Sequence, residues 1–239
     1  MAERTISWDG CVNVRDLGGL PTEDGGATRF RVVVRADDVS ALSPDGWNAL
    51  VEYGVRRIVD LRHEDAPYEA PVELVRVPLL DAAGIAEIDG LLLEVDDPSE
   101  WRCRQYLFFL ERFQPSFAHA ATAVAEANGT VLVHCAGGVD RTGLVAGLLL
   151  RLAGVDVDSI ARDYAESEAS WTARVEEWVG AAPDEVERRK RRLLSVMPAA
   201  AMRDALATLE EAQGSVRNYL VEGGAPASAL DRIARRLRA

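Results

Sequence analysis

The strongest chemical signal lies in His134-Cys135-Ala136-Gly137-Gly138-Val139-Asp140-Arg141-Thr142-Gly143. The run Thr130–Cys135 before it is apolar and β-branched, and Arg141–Ala153 after it has a helical pattern that is apolar on most sides. A strand that passes through a glycine-containing loop into a helix aims its loop amides and the helix N-terminus at one point, an anion-binding nest. Cys135 stands at the start of that nest, where amides and helix dipole favour a thiolate over a thiol. Arg141 closes the loop and can grip two oxygens of a phosphate in a fork, which lysine cannot do. The hydroxyl of Thr142 follows directly and can bond the thiolate to ease its departure in a second step. The expected phosphate cradle is therefore Ala136, Gly137, Gly138, Val139, Asp140, Arg141 and Thr142.

Other uses of this loop fit less well. A nucleotide loop needs Gly-Lys-Ser/Thr, and no lysine is present here. A structural zinc site needs more than one local Cys and one local His. A lone buried thiol at a strand end is the plain alternative. Against it stands the arrangement itself, a Cys and an Arg with five residues and two glycines between them.

The chain of 239 residues suits one α/β domain, alone or with an appendage. Its 27 basic and 39 acidic residues give a net charge of −12. That balance argues against nucleic-acid partners and against anchoring on anionic lipid by bulk charge. Lys190 is the only lysine, so any anion site must use arginine or backbone amides. Cys11, Cys103 and Cys135 are too few and too scattered for a disulfide framework or a zinc cluster, which points to a reducing compartment. Met1–Gly10 lacks a signal-peptide pattern, and the apolar run Leu144–Leu150 is too short to span a bilayer. A cytoplasmic location is expected. The oligomeric state is not legible.

The elements that must position the loop can be read more coarsely. Arg31–Arg35, Arg56–Leu61, Glu73–Pro78 and Thr130–Cys135 read as strands. Ser43-Pro44 opens a helix that Gly54 closes. Gly84–Val95, Glu100–Phe113 and Pro115–Ala127 read as further helices, and Val155–Ala239 as a run of helices broken near Pro183, Pro198, Gly214 and Gly223-Gly224. Strands first and helices later imply an α/β fold. We expect a central, mostly parallel sheet of about four to five strands flanked by helices, with a helical C-terminal portion. The expected organisation is a single domain over 1–239, with an α/β core to 154 and a helical extension, 155–239, packed on it.

The loop resembles the C-x5-R loop of cysteine-dependent protein tyrosine phosphatases. More narrowly, it is similar to the bacterial atypical tyrosine phosphatases whose loop reads H-C-x-x-G-K-D-R-T-G. Asn13-Val14-Arg15-Asp16-Leu17-Gly18-Gly19 looks like that family's N-terminal N-x-R-D-L-G-G block. Leu42–Arg62, with Gly54-Val55 and Asp60-Leu61-Arg62, looks like its second block, and Gly214-Ser215-Val216 with Tyr219-Leu220 resembles its ending. The resemblance implies that Cys135 attacks phosphorus to form a thiophosphate enzyme, held by the loop amides and Arg141 and then hydrolysed by water, with no metal or cofactor. It also implies a leaving-group acid. The narrower family carries an Asp before the loop Arg, here Asp140, which Arg141 and the helix N-terminus should keep ionised unless bound phosphate opposes them. Many tyrosine phosphatases instead use an Asp on a separate loop, and Asp81 is that alternative, with a plain surface turn as its other reading. Val139 replaces the family's loop lysine, which lowers the expectation for polyphosphorylated lipids.

Other residues have two readings each. Arg15 and Asp16 either brace the loop or form an ordinary turn salt bridge. Arg62 either meets substrate at the ligand side of the sheet or pairs with Glu64 or Asp65. His134 is expected to be buried and to fix the Cys135 backbone. His63 and His119 should lie on the surface, and Cys11 and Cys103 should be inert. Arg188–Arg192 alternates with Glu185 and Glu187 as a solvated helix face would. The function these features imply is a protein-tyrosine or dual-specificity phosphatase acting on a phosphorylated protein or small phosphomonoester. A phosphoinositide phosphatase, a non-catalytic phosphate-binding module and a rhodanese-like sulfurtransferase are the alternatives.

Overall fold

The structure, a computed structural model, describes residues 3–62, 68–91 and 95–238. His63, Glu64 and Asp65 lie outside the described residues. Five strands form one sheet: β1 (Arg15–Asp16), β2 (Val33–Ala36), β3 (Val55–Asp60), β4 (Glu73–Arg76) and β5 (Thr130–His134). Their order is β1-β2-β5-β3-β4, with β1 antiparallel to β2 and the other pairs parallel. The α/β class and the mostly parallel sheet are as expected. The strand missed in the sequence is β1, whose two residues carry no periodicity and pair across to Arg35 and Val34.

The register explains where the site falls. His134 at the end of β5 is level with Ala36 of β2 on one side and Asp60 of β3 on the other. Three parallel strands thus end together, and Cys135, Asp37 and Leu61 follow at one edge. Ligands of open α/β sheets bind outside such carboxyl ends. Every residue of β5 is buried, as in a strand covered on both faces.

Helices cover the sheet. In α1 (Pro44–Tyr53) the Ser43 side chain caps the Gly46 amide at 3.1 Å, Pro44 takes the first turn and Gly54 ends the helix at φ 106°. Next come α2 (Ala82–Leu91), α3 (Pro98–Arg112) and α4 (Gln114–Glu126). The first turn of α5 (Asp140–Leu152) carries the loop's Asp-Arg-Thr, and Thr142 to Leu150 are buried along its length. The C-terminal part holds α6 (Val157–Ala165), α7 (Ser167–Gly180), α8 (Glu185–Ser195), α9 (Ala199–Gln213), α10 (Val216–Glu222) and α11 (Ala227–Leu237). One apolar cluster runs from Val59, Val131 and Leu148 through Ile160, Met202, Leu206 and Ile233, so both parts share a core. Among the described residues, no helix is long and apolar enough to cross a membrane.

A buried ion network joins the two parts. Asp163 on α6 receives Arg35 Nη1 of β2 at 2.6 Å, Arg15 Nε of β1 at 3.4 Å, and Arg4. Arg15 also donates to the Asp163 carbonyl at 2.8 Å and to Ser167 Oγ at 2.9 Å. Burial alone would raise the Asp163 pKa. Arg35, Arg15 and Arg4 outweigh it and hold the carboxyl at about 2. The native state therefore binds fewer protons than the unfolded chain, so this contribution is present above the ordinary pKa of 3.8 and is lost as pH falls toward 2. Asp163→Asn leaves the buried Arg35 guanidinium without its carboxylate and should cost about 3–5 kcal/mol. Urea unfolding across pH 2–7 checks this. The variant should unfold earlier and lose the part of the acid dependence that Asp163 supplies.

Candidate active site

The loop from Cys135 to Val139 is held by its carbonyls. His134 Nδ1 lies 3.2 Å from the Cys135 oxygen, and the Asp38 amide donates to Ala136 O at 3.1 Å. Gly137 O accepts Asn13 Nδ2 and Trp171 Nε1, each at 3.0 Å. Gly138 O accepts Arg35 Nη2 at 2.8 Å, and Val139 O accepts the Gly143 amide at 2.7 Å. Every loop carbonyl thus has a protein partner, whereas the amides of Ala136, Gly137, Gly138 and Val139 have no acceptor among the described residues and stay available to an anion. A peptide unit cannot aim both its groups the same way. Gly138 makes the turn at φ 66°, and a Cβ there would stand 2.6 Å from the Ala36 oxygen.

His134 is buried. A carbonyl can only accept, so Nδ1 carries the proton given to Cys135 O, and Nε2 accepts the Tyr68 hydroxyl at 2.9 Å. Burial holds the His134 pKa below its ordinary value, against the pull of Asp60, and keeps the ring neutral.

The loop opens into a cavity of about 660 Å³. Cys135, Ala136, Gly137, Val139, Asp140 and Arg141 form its floor. Its walls include Trp171, Val175 and Trp178 of α7, Leu194 at the end of α8, and Met197. Arg141 forms no ion pair or side-chain hydrogen bond among the described residues, so its guanidinium is uncommitted beside Cys135. Arg174 lies 5.8 Å over the Trp171 ring and also lines the cavity. The Thr142 hydroxyl is buried and has no partner among the described residues.

Asp140 does not pair with its neighbour Arg141. Its Oδ1 takes the Tyr106 hydroxyl at 2.6 Å and a bond from buried Arg102, both on α3. Burial alone would lower the Arg102 pKa, but the Asp140 carboxylate outweighs it and the net direction is upward.

Some residues lie elsewhere. Asp81 is exposed, accepts the Gly84 amide at 2.7 Å at the start of α2 and does not line the cavity. Arg62 is buried in a fork with Asp60 (2.9 Å between Nη2 and Oδ2) and reaches Asp38 at 2.7 Å, so its guanidinium is committed. Arg15 braces the loop indirectly. It holds Asn13 Oδ1 at 2.6 Å, and Asn13 holds Gly137. Asp16 instead ties its own turn, accepting Gly18 N, Arg31 N and the Tyr53 hydroxyl. His119 is exposed. Cys11 is half-buried, and burial together with Asp37 pushes its thiol pKa up. Cys103 is half-buried on α3. The basic run is more than a solvated face: Arg189 pairs with Asp96 at 2.8 Å and Lys190 with Asp89, so α8 is tied to α2 and to the segment after it.

The tyrosine phosphatase family matches residues 6–239. The chain belongs to that family. It is 34% identical to a tyrosine-protein phosphatase of Nostoc commune over 56% of this chain and 47% of that one. It is 29% identical to a putative tyrosine-protein phosphatase of Cupriavidus necator, over 68% and 62% of the two chains. A triple specificity protein phosphatase of Mycobacterium tuberculosis is also 29% identical, over 80% and 73%. The chain thus spans 47% of the first relative and 62% of the second.

Asn13, Arg35, Trp171, Arg102 and Tyr106 were not assigned from the sequence. Only Asn13 had a local signal, its place in the N-x-R-D-L-G-G block. If the turned-out carbonyls create the anion site, Gly138→Ala should weaken inorganic phosphate binding at least tenfold, the equivalent of about 1.4 kcal/mol, while the protein stays folded. Calorimetric titration with phosphate, beside circular dichroism, checks it. Unchanged affinity would show that the loop does not depend on this turn.

Proposed function

We propose that this tyrosine phosphatase family member is a cysteine-dependent phosphomonoester hydrolase acting on protein phosphotyrosine, with room for dual specificity. The observation that carries this reading is the uncommitted Arg141 beside Cys135, over a loop whose carbonyls all have protein donors while its amides at Ala136–Val139 have none among the described residues to accept from them. In the first step Cys135 Sγ attacks phosphorus and the bond from phosphorus to the leaving oxygen breaks. The leaving oxygen takes a proton from Asp140. In the second step water attacks phosphorus and gives a proton to the Asp140 carboxylate, the sulfur–phosphorus bond breaks, the thiolate returns and inorganic phosphate departs. Arg141 and the loop amides hold the equatorial oxygens through both steps. Buried Thr142 has its hydroxyl available to the returning sulfur.

The cavity walls favour an aromatic ester. Trp171, Val175, Trp178, Leu194 and Met197 surround the mouth with apolar surface, which suits a ring more than a bare hydroxyalkyl chain. Val139 is buried where the family's loop carries lysine, so the rim offers fewer cations to a polyphosphorylated headgroup. The shared apolar core supports reading 1–154 and 155–239 as one working unit.

Cys135→Ser should abolish turnover of p-nitrophenyl phosphate while keeping phosphate binding. Arg141→Lys keeps the charge but loses the fork, and should lower kcat/KM on the order of a hundredfold. Steady-state kinetics on the two variants decide it. An active Cys135→Ser, or wild-type kinetics in Arg141→Lys, would overturn the mechanism.

A further inference from the structure

Arg102 and Tyr106 stand one turn apart on α3, and both donate to the same oxygen of Asp140, Oδ1. Oδ2 accepts no hydrogen bond among the described residues. The Tyr106 oxygen also lies 2.8 Å from the buried Tyr164 hydroxyl, which can donate to it while Tyr106 gives its one proton to Asp140, so the Tyr106 hydroxyl is held on two sides. Arg102 is itself buried, with its side chain 1% exposed, and it also donates to the Leu194 carbonyl and, at 3.3 Å, to the Val196 carbonyl. Leu194, Ser195 and Met197 line the cavity. One buried guanidinium therefore fixes the carboxyl on the loop and the chain that forms the opposite wall.

Two donors on one oxygen have a chemical consequence. The lone pairs of Oδ1 are engaged, so a proton added to the carboxyl goes to Oδ2. The bonds at Oδ1 also stop the carboxyl from rotating, which fixes where Oδ2 points. We propose that Arg102 and Tyr106 are positioning residues that lock Asp140 through Oδ1, present Oδ2 as the proton-carrying oxygen toward the leaving group, and tie that orientation to the seating of the 194–197 wall. This rests on reading Asp140 as the leaving-group acid. A purely structural role would change folding and leave the proton transfer alone.

The test compares phenyl phosphate, whose leaving group needs a proton, with p-nitrophenyl phosphate, whose leaving group needs little. The readout is the ratio of kcat/KM on the two substrates, which reports the step in which the leaving group departs. Asp140→Asn should shift this ratio on the order of a hundredfold, and Asp81→Asn should not shift it. Tyr106→Phe removes a single hydroxyl and should shift the ratio roughly tenfold, since one charge-assisted bond is lost. Arg102→Lys should shift it as well, and inhibition by inorganic phosphate should stay within about twofold in both variants, because the loop and Arg141 are untouched. Tyr106→Phe placed on Asp140→Asn should add no further shift. If Asp140→Asn shifts the ratio and neither Tyr106→Phe nor Arg102→Lys does, the positioning role is overturned while the acid stands. If Asp140→Asn leaves the ratio unchanged, or Asp81→Asn shifts it, the acid assignment falls and this proposal with it. Should Arg102→Lys fail to fold, Tyr106→Phe alone decides.

Discussion

The site depends on a guanidinium that never reaches it. Arg35 lies buried on β2, with one arm on Asp163 and the other on the carbonyl of Gly138. A buried cation is tolerable only beside a fixed anion, and Asp163 on α6 supplies it. The same aspartate holds Arg15, which orients Asn13, which takes the carbonyl of Gly137. A single carboxylate from the helical C-terminal part therefore sets, through two arginines, the direction of two peptide units in the loop.

From that constraint the chemistry follows in order. With the oxygens of Gly137 and Gly138 engaged by protein donors, the loop amides are left without acceptors among the described residues and can serve an anion without any side chain. Arg141 is unpaired among the described residues, and the acids at 38 and 140 are held by other groups. Asp140 is bound by Arg102 and Tyr106, and Asp38 by Arg62. Separate pairing of these groups leaves a grip for phosphate in a protein whose net charge is −12. On the proposed reading, the apolar wall from α7 and the end of α8 would add a preference for what the phosphate is attached to.

What the sequence made legible was local. The strand, loop and helix over 130–153 could be read because β-branched residues, glycines and an apolar helix follow one another directly. Ser43, Pro44 and Gly54 marked the ends of α1 for the same reason. The partners of the loop were not legible. Arg35 and Asp163 are 128 residues apart, and each alone is an ordinary charged residue. Trp171 sits on a largely exposed helix and gave no sign that its indole reaches Gly137. Arg102 looked like one more charge on α3, yet it is among the most deeply buried side chains of the chain. Even β1, two residues long, is defined by what lies beside it, β2 on one side and Thr5 on the other. Long-range ion pairs leave no periodicity, so only the folded chain shows them.

The central claim is that Cys135 carries the phosphoryl group between the two steps. The most direct measurement is rapid acid quenching during turnover of p-nitrophenyl phosphate, followed by mass spectrometry of the digested protein under conditions that preserve thiophosphate. The account predicts one phosphoryl group on the peptide containing Cys135, appearing before steady state and absent when substrate is omitted. Phosphoryl found on another residue, or none on Cys135 while product forms in a burst, would contradict it.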